Sequence, residues 1–278
     1  MSVNDRIRDS YSVLTESEKK IADYFLDHGE ELASYSAKQM AEVCHTSAPT
    51  IIRFARTLGY SGLSQLKVDL LVTKKEEIPD LTKELEQDEA PSDLIKATYS
   101  HRLGNLQRTE ELIDDEVVSQ SADILERASC IYLIGIGGSG NVCMDLYHKL
   151  NRIGYRAIFN TDAHIQLASL AGIREGDAVI AISYSGETAS VLESVKVAKE
   201  QGATVIGISH LGNTSLRALS DINFFLPVQE DSLRAGAIAS RDASLMITDI
   251  LYLTLFSRHL DEHKETLMKT RKWTGRLS

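Results

Sequence analysis

The chain has 278 residues, of which 43% are apolar and 25% charged, and it carries a net charge of −10. These values are typical of a soluble globular protein with one large or two ordinary domains, and the polar N-terminus argues against a secretory signal. Cys44, Cys130 and Cys143 show no paired spacing, so we expect a reducing cytoplasm, without a disulfide framework or a metal site.

The negative charge is unevenly distributed along the chain. Residues 1–75 contain ten basic and ten acidic residues, so the remainder, with 20 basic and 30 acidic residues, carries the whole charge of −10. No acidic residue lies between Glu42 and Asp69, whereas Arg53, Arg56 and Lys67 do. A basic surface without carboxylates attracts phosphate groups, so this window indicates DNA binding.

Helix start and stop signals predict consecutive short helices in this region. Thr15 and Glu18 have the spacing of a capping box, which begins a helix. A short helix over residues 37–43 follows, and Ser47 is the expected N-cap of the next helix, which ends at Gly59. A short helix, a tight turn and a second helix form a helix-turn-helix arrangement.

The second helix of this pair has two faces. Apolar residues recur every three or four positions on one face, which predicts core contacts, and threonines and an arginine lie on the other. A recognition helix enters the major groove by its N-terminal half, where hydroxyls and arginines reach phosphates and base edges. An ordinary three-helix bundle with a solvated face is the alternative. The predicted DNA-binding residues are Thr46, Ser47, Thr50, Arg53, Arg56 and Lys67.

A charged segment separates this region from the rest of the chain. Residues 76–93 are rich in Lys, Glu and Asp and contain Pro79 and Pro91, which predicts a linker. We therefore expect a DNA-binding domain at residues 1–75 and a second domain at residues 94–278.

From Cys130 onward, short apolar runs alternate with helical patterns. This alternation predicts a five-stranded parallel sheet with helices on both faces. The expected strands cover residues 131–134, 155–159, 177–182, 204–208 and 223–226. Ligands of such sheets bind at the carboxyl ends of the strands. Two unusual turns lie at that end: the glycine turn, residues 135–140, and the hydroxyl turn, residues 183–188.

The hydroxyl turn indicates a phosphate site. Ser183, Ser185, Thr188 and Gly186 lie between a buried strand and a helix. A helix N-terminus presents unpaired N–H groups and the positive end of its dipole, which suit an anion, and hydroxyls add further donors. Capping of the helix alone is the alternative, but it requires only one hydroxyl.

The glycine turn also satisfies a dinucleotide-binding fingerprint. Gly135, Gly137 and Gly140 have the required spacing, and Asp162 lies near the place of a ribose-binding acid. An NAD(H)-sensing repressor is therefore an alternative. A dinucleotide fold does not need a second loop dense in hydroxyls, and Ser139 adds a donor within the glycine turn, so we favour the phosphate site.

Together these features resemble the RpiR/MurR family of transcriptional regulators, which join a helix-turn-helix domain to a sugar isomerase (SIS) domain. The resemblance covers about residues 3–72 and 110–260. It is carried by Ser47-x-x-Thr50-x-x-Arg53-Phe54, Leu58-Gly59-Tyr60-Ser61-Gly62, Leu66-Lys67, and the two turns Gly-x-Gly-x-Ser-Gly and Ser-x-Ser-Gly-x-Thr. It implies an all-α N-terminal domain joined to an αβα sandwich. It also implies that the phosphate of a phosphorylated sugar is held by Ser139, Ser183, Ser185 and Thr188.

Further residues could complete this site. The predicted ligand-binding set also includes Gly138, His164, Glu230, Arg234 and Arg241. The alternative for the histidine is a surface or capping role. The alternative for the three charged residues is a salt bridge at a subunit contact. We expect Tyr184 and Glu187 to point away from the phosphate.

The DNA-binding domain favours a sensor over a sugar-phosphate isomerase, which would need a positioned Glu or His base. We expect no catalytic residue and no cofactor. The resemblance is to regulators of sialic-acid or amino-sugar breakdown, which suggests a repressor that responds to N-acetylmannosamine 6-phosphate. Helix-turn-helix proteins read pseudopalindromic operators as dimers, so we expect at least a homodimer, with no membrane partner.

Overall fold

The computed structural model describes residues 3–11, 14–32, 35–60, 62–72, 88–227 and 236–276. The chain divides into two compact units, residues 1–76 and 77–278. The described part of the first unit is helical, and the second is built on one parallel sheet. The predicted fold class is confirmed. The predicted domain limits stay a prediction, because residues 76–87, most of the expected linker, lie outside the described residues.

The first unit packs its helices around an apolar core. Phe25 and Phe54 meet at the centre of this core, with ring centroids 5.5 Å apart. The core stripe predicted on the second helix of the pair is buried, as its spacing required. The helices are α1 (Val3–Ser10), α2 (Glu16–Leu32), α3 (Ala37–Val43), α4 (Ala48–Thr57) and α5 (Leu63–Val72).

Two of these helices begin with capping boxes. At α2, Glu18 Oε2 accepts from the Thr15 backbone N–H at 3.0 Å and from its hydroxyl at 2.7 Å, which confirms the predicted box. At α3, Gln39 Oε1 accepts from the Ser36 N–H at 2.8 Å, and the Gln39 N–H donates to the Ser36 hydroxyl at 3.3 Å. A neutral amide therefore completes one box and a carboxylate the other.

The second unit contains the five predicted strands in one parallel sheet. The strand order is β2-β1-β3-β4-β5. The expected second strand is reduced to two residues, because it is an edge strand that pairs with β1 at only two positions. The strands are β1 (Ile131–Ile134), β2 (Ala157–Ile158), β3 (Ala178–Ile182), β4 (Thr204–His210) and β5 (Ile222–Leu226).

Helices cover both faces of the sheet. Leu133 and Ile180 pack with α7, α8 and α12 on one face, and Tyr132 and Val179 pack with α10 on the other. Coverage on both sides explains why β1 and β3 are buried along their whole length. The helices are α6 (Pro91–Leu112), α7 (Asp115–Arg127), α8 (Gly137–Arg152), α9 (Ala163–Ser169), α10 (Ala189–Glu200), α11 (Ser215–Leu219), α12 (Ile238–Arg258) and α13 (Leu260–Thr274). Across the described ranges, no helix is long and apolar enough to cross a membrane.

Two polar contacts join the start of α12 to α6. Arg102 on α6 donates to the Asp242 carboxylate through Nε at 2.6 Å and Nη2 at 3.0 Å. Asp242 is only 6% exposed. The buried Asn105 amide, one turn further along α6, donates to the Ala239 carbonyl at 2.9 Å. The first turn of α12 is therefore fixed against α6 by side chains as well as by apolar packing.

We expect Arg102→Ala to destabilise the second unit, because the buried Asp242 carboxylate would lose its bidentate partner. The cost should be about 2 kcal/mol, below that of a fully buried pair since the Arg102 side chain is 49% exposed. Differential scanning fluorimetry should show a thermal midpoint lower by roughly 4–8 °C. Lys96→Ala on the same helix breaks only an exposed pair with Asp93, and should lower the midpoint by less than about 2 °C. Equal midpoints for the two variants would contradict this role of Arg102.

Candidate functional site

A cavity lies at the carboxyl ends of β1 and β3. These strands are neighbours in the sheet, so the glycine turn after β1 and the hydroxyl turn after β3 meet at one edge. The first residues of α12 form the third wall. The described residues that line the cavity are Ile136, Gly138, Ser139, Ile182, Ser183, Tyr184, Ser185, Thr188, Ala237, Ser240 and Arg241.

The hydroxyls of the hydroxyl turn form a cluster. Ser183 Oγ lies 2.9 Å from Thr188 Oγ1 and 3.5 Å from Ser185 Oγ. Thr188 occupies the N-cap position of α10, but its side chain makes no capping hydrogen bond. The capping alternative is therefore wrong for Thr188, whose hydroxyl contacts Ser183 instead. The cluster presents three neighbouring donors on one wall of the cavity.

Three helices begin at this cavity. Gly138 and Ser139 belong to the first turn of α8, Thr188 precedes α10, and Ala237 precedes α12. At none of these three N-caps does the side chain bond to the backbone of the helix. First-turn N–H groups and the positive ends of three helix dipoles thus surround one space, which favours a bound anion.

Arg241 adds a full positive charge to this wall. Its side chain is partly exposed, and its Nη2 lies 3.9 Å from the Asp242 carboxylate. Among the described residues that line the cavity, none is Asp, Glu or His. The described lining therefore carries one positive charge and no negative charge, although the protein as a whole is acidic.

Two glycines allow the turns to approach so closely. A Cβ atom on Gly135 would lie 2.9 Å from Cys143 Sγ and 3.2 Å from the Ile182 carbonyl oxygen. Gly186 has φ of +65°, and a Cβ atom there would lie 2.4 Å from Thr214 Cβ. Any larger residue at either position would push the two turns away from their neighbours.

The structure brings together most of the predicted ligand-binding residues. Those that line the cavity are Gly138, Ser139, Ser183, Ser185, Thr188 and Arg241. His164 is exposed on the first turn of α9 and is not among the described lining residues, so its role in ligand binding stays a prediction. Glu230 and Arg234 lie outside the described residues.

Part of the cavity wall was not predicted from the sequence. Ser240, next to Arg241 at the start of α12, could have been found from the pair of polar residues that precedes an apolar helix. Tyr184 is a lining residue, and its side chain extends to the Pro227 carbonyl, to which its hydroxyl donates at 3.5 Å, and to the His210 ring, whose centroid lies 5.5 Å from its own. Glu187 does point away, because its carboxylate accepts from the Ser215 N–H and hydroxyl, both at 2.7 Å.

Asp162, the acid of the dinucleotide fingerprint, has a local structural role. Its carboxylate accepts from the backbone N–H groups of His164 at 2.8 Å and Ile165 at 3.1 Å, which caps α9. Its position in the sequence is therefore explained without a ribose.

A second candidate surface lies on α3, α4 and the turn between them. Ser47 is the N-cap of α4, as predicted, but its hydroxyl lies 2.7 Å from Thr50 Oγ1 and makes no backbone cap. Arg53 and Arg56 are exposed further along α4, whereas Thr46 and Lys67 are half-buried. The polar side of α4 thus presents two hydroxyls at its N-terminal end and exposed arginines further along the helix.

The acid-free window is not acid-free in space. Arg53 Nε lies 3.6 Å from Glu18 Oε1, and the Thr57 hydroxyl donates to the same oxygen at 3.0 Å. Glu18 lies on α2, 35 positions before Arg53 in the chain, and is 3% exposed. The inference from missing acids therefore needs a correction: one buried carboxylate supports the polar side of α4.

Comparison with known proteins identifies the family. Residues 1–76 match the helix-turn-helix domain of the rpiR family, and residues 124–254 match the SIS domain. An uncharacterized HTH-type transcriptional regulator of Caldanaerobacter subterraneus subsp. tengcongensis is 32% identical over 256 residues, which are 92% of this chain and 91% of the relative. The chain belongs to the RpiR family of transcriptional regulators.

Two further proteins are similar over almost the whole chain. The HTH-type transcriptional regulator HexR of Pseudomonas aeruginosa is 28% identical over 274 residues, 96% of each protein. The Vibrio vulnificus NanR protein complexed with ManNAc-6P has a TM-score of 0.63 and 25% identity, over 100% of this chain and 99% of that one. These matches assign the glycine turn to a SIS domain, so the NAD(H)-sensing alternative has no support from the family.

We expect Gly186→Ala to disrupt the hydroxyl turn of this RpiR-family chain. Alanine at this position would have to adopt a left-handed backbone conformation, and its Cβ would overlap the buried Thr214. The Thr214 hydroxyl accepts from the Arg217 N–H and so caps the start of α11. The cost should be about 2 kcal/mol or more, measured as a lower thermal midpoint. Gly104→Ala in α6 is the control, since its Cβ meets nothing within 4 Å and alanine favours a helix. An unchanged midpoint for Gly186→Ala would contradict the described turn.

Proposed function

We propose that this RpiR-family regulator represses a sugar or amino-sugar catabolic operon, and that a phosphorylated sugar in the cavity of its SIS domain controls DNA binding. The observation that carries the proposal is the cavity itself. Three uncapped helix N-termini, a cluster of hydroxyls and Arg241 surround a space in which no described lining residue is acidic.

The phosphate is the part of the ligand that this cavity suits best. A phosphate dianion accepts several hydrogen bonds at once, and the hydroxyl turn and first-turn N–H groups supply donors from different sides. Arg241 lines the same cavity from the α12 wall, where its guanidinium is a proposed partner of the phosphate or of a sugar hydroxyl. Ser139, Ser183, Ser185 and Thr188 are the proposed phosphate ligands, and Ser240 joins them.

The choice of sugar is supported by the comparison with NanR. That structure contains ManNAc-6P, and the two proteins align over nearly their full lengths. N-acetylmannosamine 6-phosphate is therefore our proposed effector. A sensor rather than an isomerase is supported by the chemistry of the described wall, because isomerisation needs a carboxylate or imidazole base near the substrate carbon.

The contacts of α12 provide a route for the response. Ser240 and Arg241 lie in the cavity wall, and the next residue, Asp242, is held by Arg102 on α6. Helix α6 is the first described helix after the predicted linker. A sugar phosphate that binds one arrangement of α12 better than another therefore also biases α6, which the chain connects to the DNA-binding unit. We propose that this regulator acts in the cytoplasm as a homodimer on a pseudopalindromic operator.

Removal of one hydroxyl should separate sensing from DNA binding. We expect Ser183→Ala and Ser185→Ala to weaken N-acetylmannosamine 6-phosphate binding about 10- to 150-fold, because each loses a hydrogen bond to a charged group. Isothermal titration calorimetry measures this affinity, and DNA binding without the sugar should remain. Ser190→Ala, in the first turn of α10 but outside the cavity wall, should bind the sugar normally. If both wall variants keep the wild-type affinity and response, the phosphate does not bind here.

Replacement of Arg53 should weaken DNA binding and leave sugar-phosphate binding intact. We expect Arg53→Ala to weaken binding to the operator about 5- to 150-fold through loss of a base or phosphate contact, with sugar-phosphate affinity unchanged. Fluorescence anisotropy at physiological salt measures the DNA affinity. Lys20→Ala removes an exposed positive charge from α2, outside α3 and α4, and controls for net charge. Normal operator affinity for Arg53→Ala would contradict the assignment of α4 as the recognition helix.

A further inference from the structure

We propose that Glu18 is a positioning residue for DNA recognition, whose buried carboxylate orients Arg53 and Thr57 on α4. This inference rests on the proposed DNA-binding role of α4. Glu18 is not itself a DNA contact, since it is 3% exposed.

The two oxygens of the Glu18 carboxylate have different partners. Oε2 accepts from the Thr15 N–H at 3.0 Å and the Thr15 hydroxyl at 2.7 Å, and so completes the capping box of α2. Oε1 accepts from the Thr57 hydroxyl at 3.0 Å and lies 3.6 Å from Arg53 Nε. One carboxylate thus joins the start of α2 to the polar side of α4.

The negative charge of Glu18 is not needed for the capping box. In the box of α3, the neutral Gln39 amide performs the same task on the Ser36 N–H at 2.8 Å. A buried carboxylate costs desolvation free energy, and near DNA it also repels phosphates. Its charge is therefore best explained by its second oxygen, which attracts the Arg53 guanidinium.

The carboxylate is ionised when it performs this task. Burial raises the pKa of Glu18, but hydrogen bonds from Thr15 and Thr57 and the positive charge of Arg53 outweigh burial and bring that pKa below its ordinary value. Glu18 is therefore negatively charged at neutral pH, when DNA binding takes place.

The geometry of the pair leaves Arg53 able to contact DNA. The carboxylate approaches through Nε, on one side of a guanidinium with five N–H groups. The Arg53 side chain remains 63% exposed. A guanidinium held in one orientation loses less conformational entropy when it binds a base edge, so the pair should favour the correct sequence more than DNA in general.

The test uses Glu18→Gln in the full-length chain, because glutamine can keep the capping box while removing the charge. One probe is a duplex enriched by in vitro selection with the wild-type protein, and the other is a shuffled duplex of the same composition. We expect affinity for the selected duplex to fall about tenfold, within the range of couplings between contacting residues. Affinity for the shuffled duplex should stay equal or rise, because a negative charge has been removed.

Two further variants identify the cause. Glu16→Gln removes the same charge from the first turn of α2, where Glu16 is exposed and pairs with Lys19, and it should not weaken binding to the selected duplex. In an Arg53→Ala background, Glu18→Gln should not weaken binding to the selected duplex any further, since its favourable action passes through Arg53.

Several outcomes would overturn the positioning role. Equal weakening on both duplexes, together with a lower thermal midpoint, would mean that Glu18 only stabilises the fold. Tighter binding to both would mean that it only repels DNA. If Glu18→Gln does not fold, Thr57→Ala loosens the same Oε1 oxygen and should weaken the selected duplex about threefold; an unchanged affinity would then overturn the proposal.

Failure of the proposed function gives a different result. If selection enriches no sequence, or if Arg53→Ala binds the selected duplex normally, the DNA-binding role of α4 fails and the positioning role fails with it. If Arg53→Ala loses affinity but Glu18→Gln does not, only the positioning role is overturned.

Discussion

The close approach of two turns at one edge of the sheet determines the ligand chemistry of this protein. Strands β1 and β3 are hydrogen-bonded neighbours, so their carboxyl ends are side by side. Gly135 has no side chain to fill the space between Cys143 and the Ile182 carbonyl. The glycine turn and the hydroxyl turn can therefore form one cavity, and the helices that follow them begin at the same place.

The same edge of the sheet connects ligand chemistry to the rest of the second unit. Helix α12 supplies the third wall, and its first turn is bonded to α6 by the pair of Arg102 and Asp242 and by the amide of Asn105. These contacts are the basis of the proposed route from the cavity to α6. The wall of the cavity is thereby bonded to α6, the described helix nearest the predicted linker.

Charge is used differently in the two units. In the second, the described lining of the cavity combines helix N-termini with one arginine and contains no carboxylate, within an acidic domain. In the first, a buried carboxylate lies beneath an exposed arginine, where the net count of charges would not reveal it. In both cases the local arrangement of charges could not be derived from the composition of the segment.

Local sequence was sufficient for the elements, the class of fold and the two unusual turns. Helix caps, apolar periodicity and glycine positions depend on residues within a few positions of one another, and these predictions agree with the structure at Thr15, Ser47 and the strands β1 and β3. The predicted phosphate hydroxyls share a cavity because strand-helix alternation implies that the turns lie at one edge. Only the tertiary structure placed Ser240 and Tyr184 in the wall, excluded His164 from the described lining and brought Glu18 to Arg53. Those contacts join residues that are far apart in the chain, and their distances depend on how helices pack rather than on any local pattern.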